Sequence, residues 1–261
     1  MTIAVRNRII NSGTALIALF ALSFPVALAL LFRMAPIQIL RFDSEIAPLA
    51  LALFCELLFC ASTIVILYFS FRKTASAEIF FFILFVVSMS FDSLKMVHVL
   101  LDAAPVAPYF GTIVTRAIYF GRFFGVLSLF SCGLFSTGLP YERLEVVFVA
   151  GMLLSLTLAS TIPIDMTRSD PWFAMPIGFA REIRIVTGLL YGITVVNFIF
   201  AAHHSGNRNY LLVAAGDALV IGGRETLFYR LDVLSITISF VLLVTGSTIV
   251  GERTHEIYLW S

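Results

Sequence analysis

Apolar stretches of about 18 residues or more recur along almost the whole chain, and a run of that length and character is the signature of a transmembrane helix. The 261 residues are 60% hydrophobic and 13% charged, with a mean hydropathy of +1.00. A soluble domain is roughly 45–50% apolar and about a quarter charged. No stretch is long and polar enough to fold as a separate soluble domain. The expected class is therefore all-α: a polytopic integral membrane helix bundle of seven or eight transmembrane helices, forming one domain over residues 1–261.

The spans are placed at Ile10–Phe32, Ala47–Phe71, Glu78–Leu101, Tyr109–Phe135, Glu145–Ile164, Gly178–Ala202, Asn209–Phe228 and Leu231–Val250. The seventh has the weakest apolar signal. Its clean core, Tyr210 to Ile221, is too short to span unaided, and Gly222, Gly223, Arg224 and Glu225 interrupt it. It reads as a polar helix facing the bundle or as a buried re-entrant half-helix. Arg6 and Arg8 before the first apolar run, with Ala27-Leu28-Ala29, resemble a secretory leader. The run exceeds the 7–15 residues of such leaders, so it reads as an uncleaved helix.

Short-loop Lys and Arg set orientation. Arg6, Arg8, Arg72, Lys73, Arg143, Arg208 and Arg253 fall on the side of the N-terminus, which is expected to be cytoplasmic. Arg33, Arg41, Arg168, Arg224 and Arg230 fall on the other side, with Arg181 and Arg184 at its edge, so the bias is slight. The Asp165–Ile177 connection carries Pro171, Pro176 and Trp172, which suit a turn-rich loop at a membrane interface. Tyr258 and Trp260 would anchor the last helix in the same way. The expected location is a bacterial inner membrane.

This topology collects the intramembrane charges in the half of the bundle away from the N-terminus. A charge in hydrocarbon costs several kcal/mol unless it is paired or faces water, so a layer of them marks either an ion-pair network or a polar pocket. The third span presents Asp92, Lys95, His98 and Asp102 on one broad face, and the fourth presents Arg116, Tyr119 and Arg122 at three-residue steps. Glu56 lies on the second span, and Arg181, Glu182 and Arg184 open the sixth. Asp217, Arg224 and Glu225 lie in the seventh. A self-paired layer would match Asp92 with Lys95 and the arginines with Glu56 or Asp217. A pocket would use Lys95, His98, Arg116, Tyr119 and Arg122 to hold an anionic group, since Arg forks suit carboxylates and phosphates. Glu56, Asp92, Arg181, Glu182, Arg184, Asp217, Arg224 and Glu225 would then be counter-ions and supporting polar groups.

Other chemistries find little support in the residues. Gly121-Arg122-Phe123-Phe124-Gly125 is a small-xxx-small motif, read as close packing inside the bundle. His203-His204 lacks further metal ligands at suitable spacing, so no metal and no cofactor are expected. Cys55, Cys60 and Cys132 lie in apolar segments and read as buried thiols. Lys95 is the sole deep lysine but sits in the third span, which argues against a retinal Schiff base. No catalytic residue is assigned, because nucleophile and metalloprotease motifs are absent. A net charge of +1 without a basic face argues against nucleic acid.

Gly222-Gly223-Arg224-Glu225-Thr226-Leu227-Phe228, a further span, then Arg253-x-His255-x-x-Tyr258-Leu259-Trp260 resembles the end of the multi-helix sensor modules of bacterial membrane receptors. The likeness covers the C-terminal fifth. It implies seven or eight spans ahead of a kinase or cyclase output domain, which does not follow in this sequence, so signalling would need a membrane partner. The combined expectation is a receptor-like or sensor module, surrounded by membrane lipids, that binds an anionic or amphipathic small ligand or a lipid headgroup in the polar pocket. A transporter or lipid-handling protein using the same layer is the alternative, and a structural subunit with a self-paired layer is another. A transporter requires the polar path to reach the opposite face. There the sequence offers few groups beyond Asn197, Ser90, Ser131 and Ser136, which favours a pocket closed at its base.

Overall fold

A computed structural model describes residues 3–34, 46–71, 76–103, 108–165 and 174–259. Eight long helices follow one another: α1 Ile3–Met34, α2 Ile46–Phe71, α3 running from Ala77 to Ala103, α4 Pro108–Ser136, α5 Leu144–Thr161, α6 Ala180–Ser205, α7 Asn209–Tyr229 and α8 Val233–Leu259. Among the described residues there is no strand beyond an isolated bridge between Ile164 and Ile177. The chain is an all-α polytopic bundle. Seven of the eight helices are long and apolar enough to cross a membrane. The eighth, α7, is one unbroken helix of 21 residues rather than a half-helix. At about 1.5 Å per residue it is some 31 Å long. It misses the composition of a simple span because it carries Asp217, Arg224 and Glu225. Of the residues invoked above for orientation and anchoring, Arg41, Arg72, Lys73, Arg168, Pro171, Trp172 and Trp260 lie outside the described residues, as does the side chain of Asp102.

The bundle is inside-out relative to a soluble protein. Leu22, Phe69, Val146, Leu189 and Leu234 are exposed, while Glu56, Asp92, Lys95, Arg122, Asp217 and Arg224 are buried. Lipid accepts apolar side chains and rejects charges, so the burial pattern follows hydration cost. Helix α3 is the central rod. Every residue from Ala77 to Met89 is buried, under the packed rings of Phe80, Phe81, Phe82 and Phe85.

Antiparallel alternation puts the N-terminus of α1, the α2–α3 turn, the α6–α7 turn and the C-terminus of α8 at one end, here the terminal face. There Arg6 donates to the Phe71 carbonyl at 3.4 Å, and Tyr258 donates to Glu78 across 180 residues of sequence. At the same end α6 stops at Gly206, whose φ of +67° closes the helix in the left-handed region that glycine tolerates. At the opposite face, Asp232 accepts a bond from the Ser235 amide at 2.9 Å and caps α8. That contact with Ser235 holds the exposed Asp232 carboxyl below its ordinary range. The cap is therefore complete at neutral pH and is lost only as pH falls through that lowered value.

Helices α7 and α8 approach by leaving out side chains. A Cβ on Gly246 would stand 2.6 Å from the Gly216 carbonyl oxygen, and one on Gly223 would stand 2.9 Å from that of Ser239. Neither oxygen belongs to a flexible group, so a methyl there must push the helices apart. Gly246→Ala is expected to lower stability by about 1–3 kcal/mol, read as a lower melting temperature of the detergent-solubilised protein. An unchanged melting curve would mean that the two helices are not in contact at this point.

Candidate functional site

Midway along α3 the helix tightens into a 3-10 turn, Ser90–Ser93, before resuming as α-helix from Leu94 to Ala103. Serine chemistry explains why this is tolerated in an apolar setting. Ser88, Ser90 and Ser93 donate to the carbonyls of Phe85, Val87 and Ser90 at 2.6, 2.7 and 2.7 Å, taking up acceptors that the altered backbone would strand. The turn brings Asp92 and Lys95 into the centre of the bundle, 2% exposed each.

A second device is the Gly121/Gly125 pair on α4. Both positions face α3 and α7. A Cβ on Gly121 would strike Phe91, and a Cβ on Gly125 would overlap the Arg224 guanidinium and the Ser88 hydroxyl. The notch admits Arg224, which donates to the Gly121 carbonyl at 3.4 Å and lies 5.0 Å over the Phe85 ring. The motif therefore packs inside the chain, and what it admits is an arginine side chain as well as a helix.

Around these two devices the charges sort into a layer. Arg122 and Glu225 form an ion pair at 2.6 Å. Lys95 donates to the Phe228 carbonyl at 3.3 Å and sits 3.7 Å over the Phe228 ring, with Arg122 at 4.1 Å from the same ring. Glu56 faces Asp92, with Lys95 and Arg224 within electrostatic reach of it. Tyr191 on α6 faces Arg122, Arg224 and Glu225. His98 lies one turn beyond Lys95, with its Nε2 3.6 Å from where a Cβ on Gly111 would stand. The Met175 side chain covers the same glycine.

The remaining sequence candidates lie elsewhere. Arg116 is exposed. Three-residue steps fall about 60° short of a full turn each, so Arg116 and Arg122 diverge by some 120° on α4. Tyr119, between them, is half-buried against Phe123 and the α5–α6 side. Arg181, Glu182 and Arg184 are exposed at the start of α6, and only Arg184 reaches the layer's edge, 4.6 Å over the Tyr229 ring. Asp217 is fully buried but does not belong to the layer. It lies seven residues before Arg224 on one helix, roughly 10 Å nearer the terminal face.

That depth exposes a group that the sequence reading missed. Asp217 is within reach of Cys132 on α4, and Cys132 is in turn within reach of Glu78. Its thiol donates to the Glu78 carbonyl at 3.3 Å. Glu78 receives Tyr258 and lies near Tyr210. Asn197 on α6 packs at this level, its Cβ 3.3 Å from the Gly133 position. On α4 the residues Gly121, Gly125, Ser128 and Cys132 follow steps of four, three and four, so one stripe of that helix borders the polar groups at every level. Buried polar residues thus run from Glu78 at the terminal face through Asp217 to the charged layer and His98. Neither Asp217 carboxyl oxygen has a hydrogen-bond partner among the described residues, and the same holds for the Asn197 amide nitrogen and the Ser128 hydroxyl. Glu78 was legible only as the first residue of a span. Its significance comes from Tyr258 at the far end of the chain.

No family model matches the chain. It is similar to a protein of Treponema pallidum (strain Nichols) described as an uncharacterized protein, 22% identical, with the match covering 73% of this chain and 69% of that one.

Removing Arg122 strands Glu225. Arg122→Ala is expected to destabilise by about 3 kcal/mol, the lower end for breaking a buried pair, because the Glu225 side chain is 28% exposed. Arg122→Met with Glu225→Leu restores most of the loss if the pair is structural. Thermal unfolding of the three proteins in one detergent decides this, and additive losses would rule out a direct pair.

Proposed function

We propose that the protein is a multi-pass membrane transporter whose path is the buried polar column, with a proton or a small cation as the transported or coupling species. One observation carries this reading: Asp217, fully buried and without a hydrogen-bond partner among the described residues, in the half of the bundle that the sequence left apolar. A receptor pocket closed at its base has no use for polar groups below the layer. A path needs them at every level, and ionisable groups inside spans characteristically mark ion pathways and proton relays. The sign of the column supports a cation. Along it lie the buried acids Glu78, Asp217, Glu56 and Asp92 and the half-buried Glu225, against the bases Lys95, Arg122 and Arg224. Arg122 is paired with Glu225 and Lys95 is bonded to the Phe228 carbonyl, while the Arg224 nitrogens that are unpartnered among the described residues lie in the electrostatic reach of Glu56.

A bacterial inner membrane with both termini in the cytoplasm is part of the same proposal. Arg6, Arg8, Arg143, Arg208 and Arg253 lie at the terminal face, against Arg33, Arg181, Arg184 and Arg230 at the other, a slight excess in the direction of the positive-inside bias. The similarity to a Treponema pallidum protein supports a bacterial setting. Cys60 and Cys132 are buried as expected, but Cys55 is half-buried, so engineered surface thiols are read in a Cys55→Ala background. Arg143→Cys in whole cells should react with a membrane-impermeant maleimide only after lysis, and Arg230→Cys before it. The reverse pattern would invert the orientation.

Flux tests the function directly. In proteoliposomes loaded with a pH-sensitive dye, with a potassium diffusion potential imposed, the wild type should change lumenal pH faster than protein-free vesicles. Asp217→Asn should fall to the protein-free rate while keeping the wild-type melting temperature. If neither proton, sodium nor potassium gradients dissipate faster with the wild type than without protein, the transporter reading is wrong. The self-paired structural layer then accounts for the charges.

A further inference from the structure

A groove of about 440 Å³ opens between α2 and α8 in the half of the bundle next to the terminal face, apart from the polar column. Its size lies within the roughly 300–1,000 Å³ of small-molecule sites. Small residues carve it. On α8, Ser247, Gly251 and His255 recur every four residues on one face, and on α2 Thr63 and Ser70 recur seven apart. A Cβ on Gly251 would meet the Leu67 side chain of α2 at 3.4 Å, so the absent side chain leaves room between the two helices here. The Phe71 ring and His255 meet edge-on at 5.4 Å and close the end towards the terminal face. The rims, Ile66 and Val244, are exposed apolar residues of the lipid-facing surface.

Two features of the lining go beyond a gap between helices. Ser247 is 6% exposed and its hydroxyl has no hydrogen-bond partner among the described residues, although it lines the groove. Lipid tails offer such a hydroxyl nothing. Glu252 is exposed at the groove and takes part in no hydrogen bond or ion pair found among the described residues. The adjacent Arg253 is occupied by Glu256, at 2.7 and 2.9 Å.

We propose that this groove binds a single membrane lipid with a primary-amine headgroup, its chain lying along Ile66 and Val244 and its ammonium group donating to Glu252. The surroundings favour lipid as occupant, because both rims belong to the surface that hydrocarbon wets. Charge complementarity selects the headgroup. A carboxylate with free lone pairs at the mouth takes an N–H donor and repels a purely anionic headgroup. Thr63 and Ser247 supply hydroxyls deeper in the groove, where a lipid's ester oxygens can accept them.

Native mass spectrometry of the protein in mild detergent, with phosphatidylethanolamine, phosphatidylcholine or phosphatidylglycerol added in turn, tests the proposal. Phosphatidylcholine keeps the positive charge but has no N–H to donate. The wild type should retain phosphatidylethanolamine about tenfold better than the other two, the equivalent of one charge-assisted hydrogen bond. Glu252→Gln should abolish that preference. Thr63→Leu, which fills the groove, should lose the lipid while its lipid-free melting temperature stays at the wild-type value. Equal retention of all three lipids, or a preference that survives Glu252→Gln, would overturn the proposal. So would a wild-type dimer that Thr63→Leu converts to monomer, which would make the groove an interface between two copies.

Discussion

Arg224 occupies space left by two absent side chains, and much of the interior depends on that fit. With a Cβ at position 125 the guanidinium could not lie between α3, α4 and α7. It would have to leave the bundle or force α7 outward, and α7 is the helix least suited to face lipid. Placed where it is, Arg224 supplies positive charge beside Glu56 and Asp92, which lie too close together to be tolerated alone. Lys95 completes the balance from the other side. The 3-10 turn in α3 matters for the same reason. It turns Asp92 and Lys95 inward, and its serines keep the altered backbone bonded in a place where water cannot do so. Charge placement, helix distortion and glycine spacing are therefore parts of one solution to a single requirement: nothing polar faces hydrocarbon without a partner.

Exceptions to that requirement occur within the charged layer itself, where Asp92, Arg122, Arg224 and Glu225 each keep an atom unpartnered among the described residues, at the Tyr141, Tyr191 and Ser239 hydroxyls, and in two further places. Along the column, Asp217, Asn197 and Ser128 keep unmet polar atoms at successive levels between the charged layer and the terminal face. In the α2–α8 groove, Ser247 does the same. Away from both, hydroxyls such as Thr157, Ser160 and Thr237 bond back to their own helix at 2.7 to 2.9 Å and present little to the outside. Two kinds of polar residue are therefore mixed in this sequence at similar spacing. Only the packing separates those that answer to their own backbone from those turned toward something else.

This bears on how much could be read beforehand. The all-α membrane class was legible because runs of apolar residues long enough to span carry that information themselves. The segment Asn209–Phe228 was placed as a span, but whether it formed a full bundle-facing helix or a half-helix stayed open. A segment with three charges looks interrupted until it is known that Arg224 and Glu225 turn inward onto Gly121 and Arg122. Lys95, His98, Arg122, Glu56 and Asp92 are buried within the bundle, and their position along the apolar spans already gave their depth. Arg116 illustrates the limit. Depth is linear in sequence, but facing is angular, and three-residue steps drift around the helix. Asp217 was assigned to the wrong level because seven residues within one span were treated as one layer. Glu78 and the groove escaped notice because each depends on contacts between α2 or α3 and α8, which no local pattern records.

The bond from Lys95 to the Phe228 carbonyl has a mechanical side. Phe228 lies in the last turn of α7, where helix carbonyls have no partner of their own. Lys95 serves that helix end from α3, and its ammonium also rests on the ring of the same residue. Sliding or twisting α7 along its axis would strip both contacts at once and leave a charge stranded in the centre of the bundle. The corner between α7 and α8 is thus tethered to the distorted middle of α3, and the two rods are geared together: a displacement at either one is passed to the other through Lys95, as well as through Arg224 on the Phe85 ring.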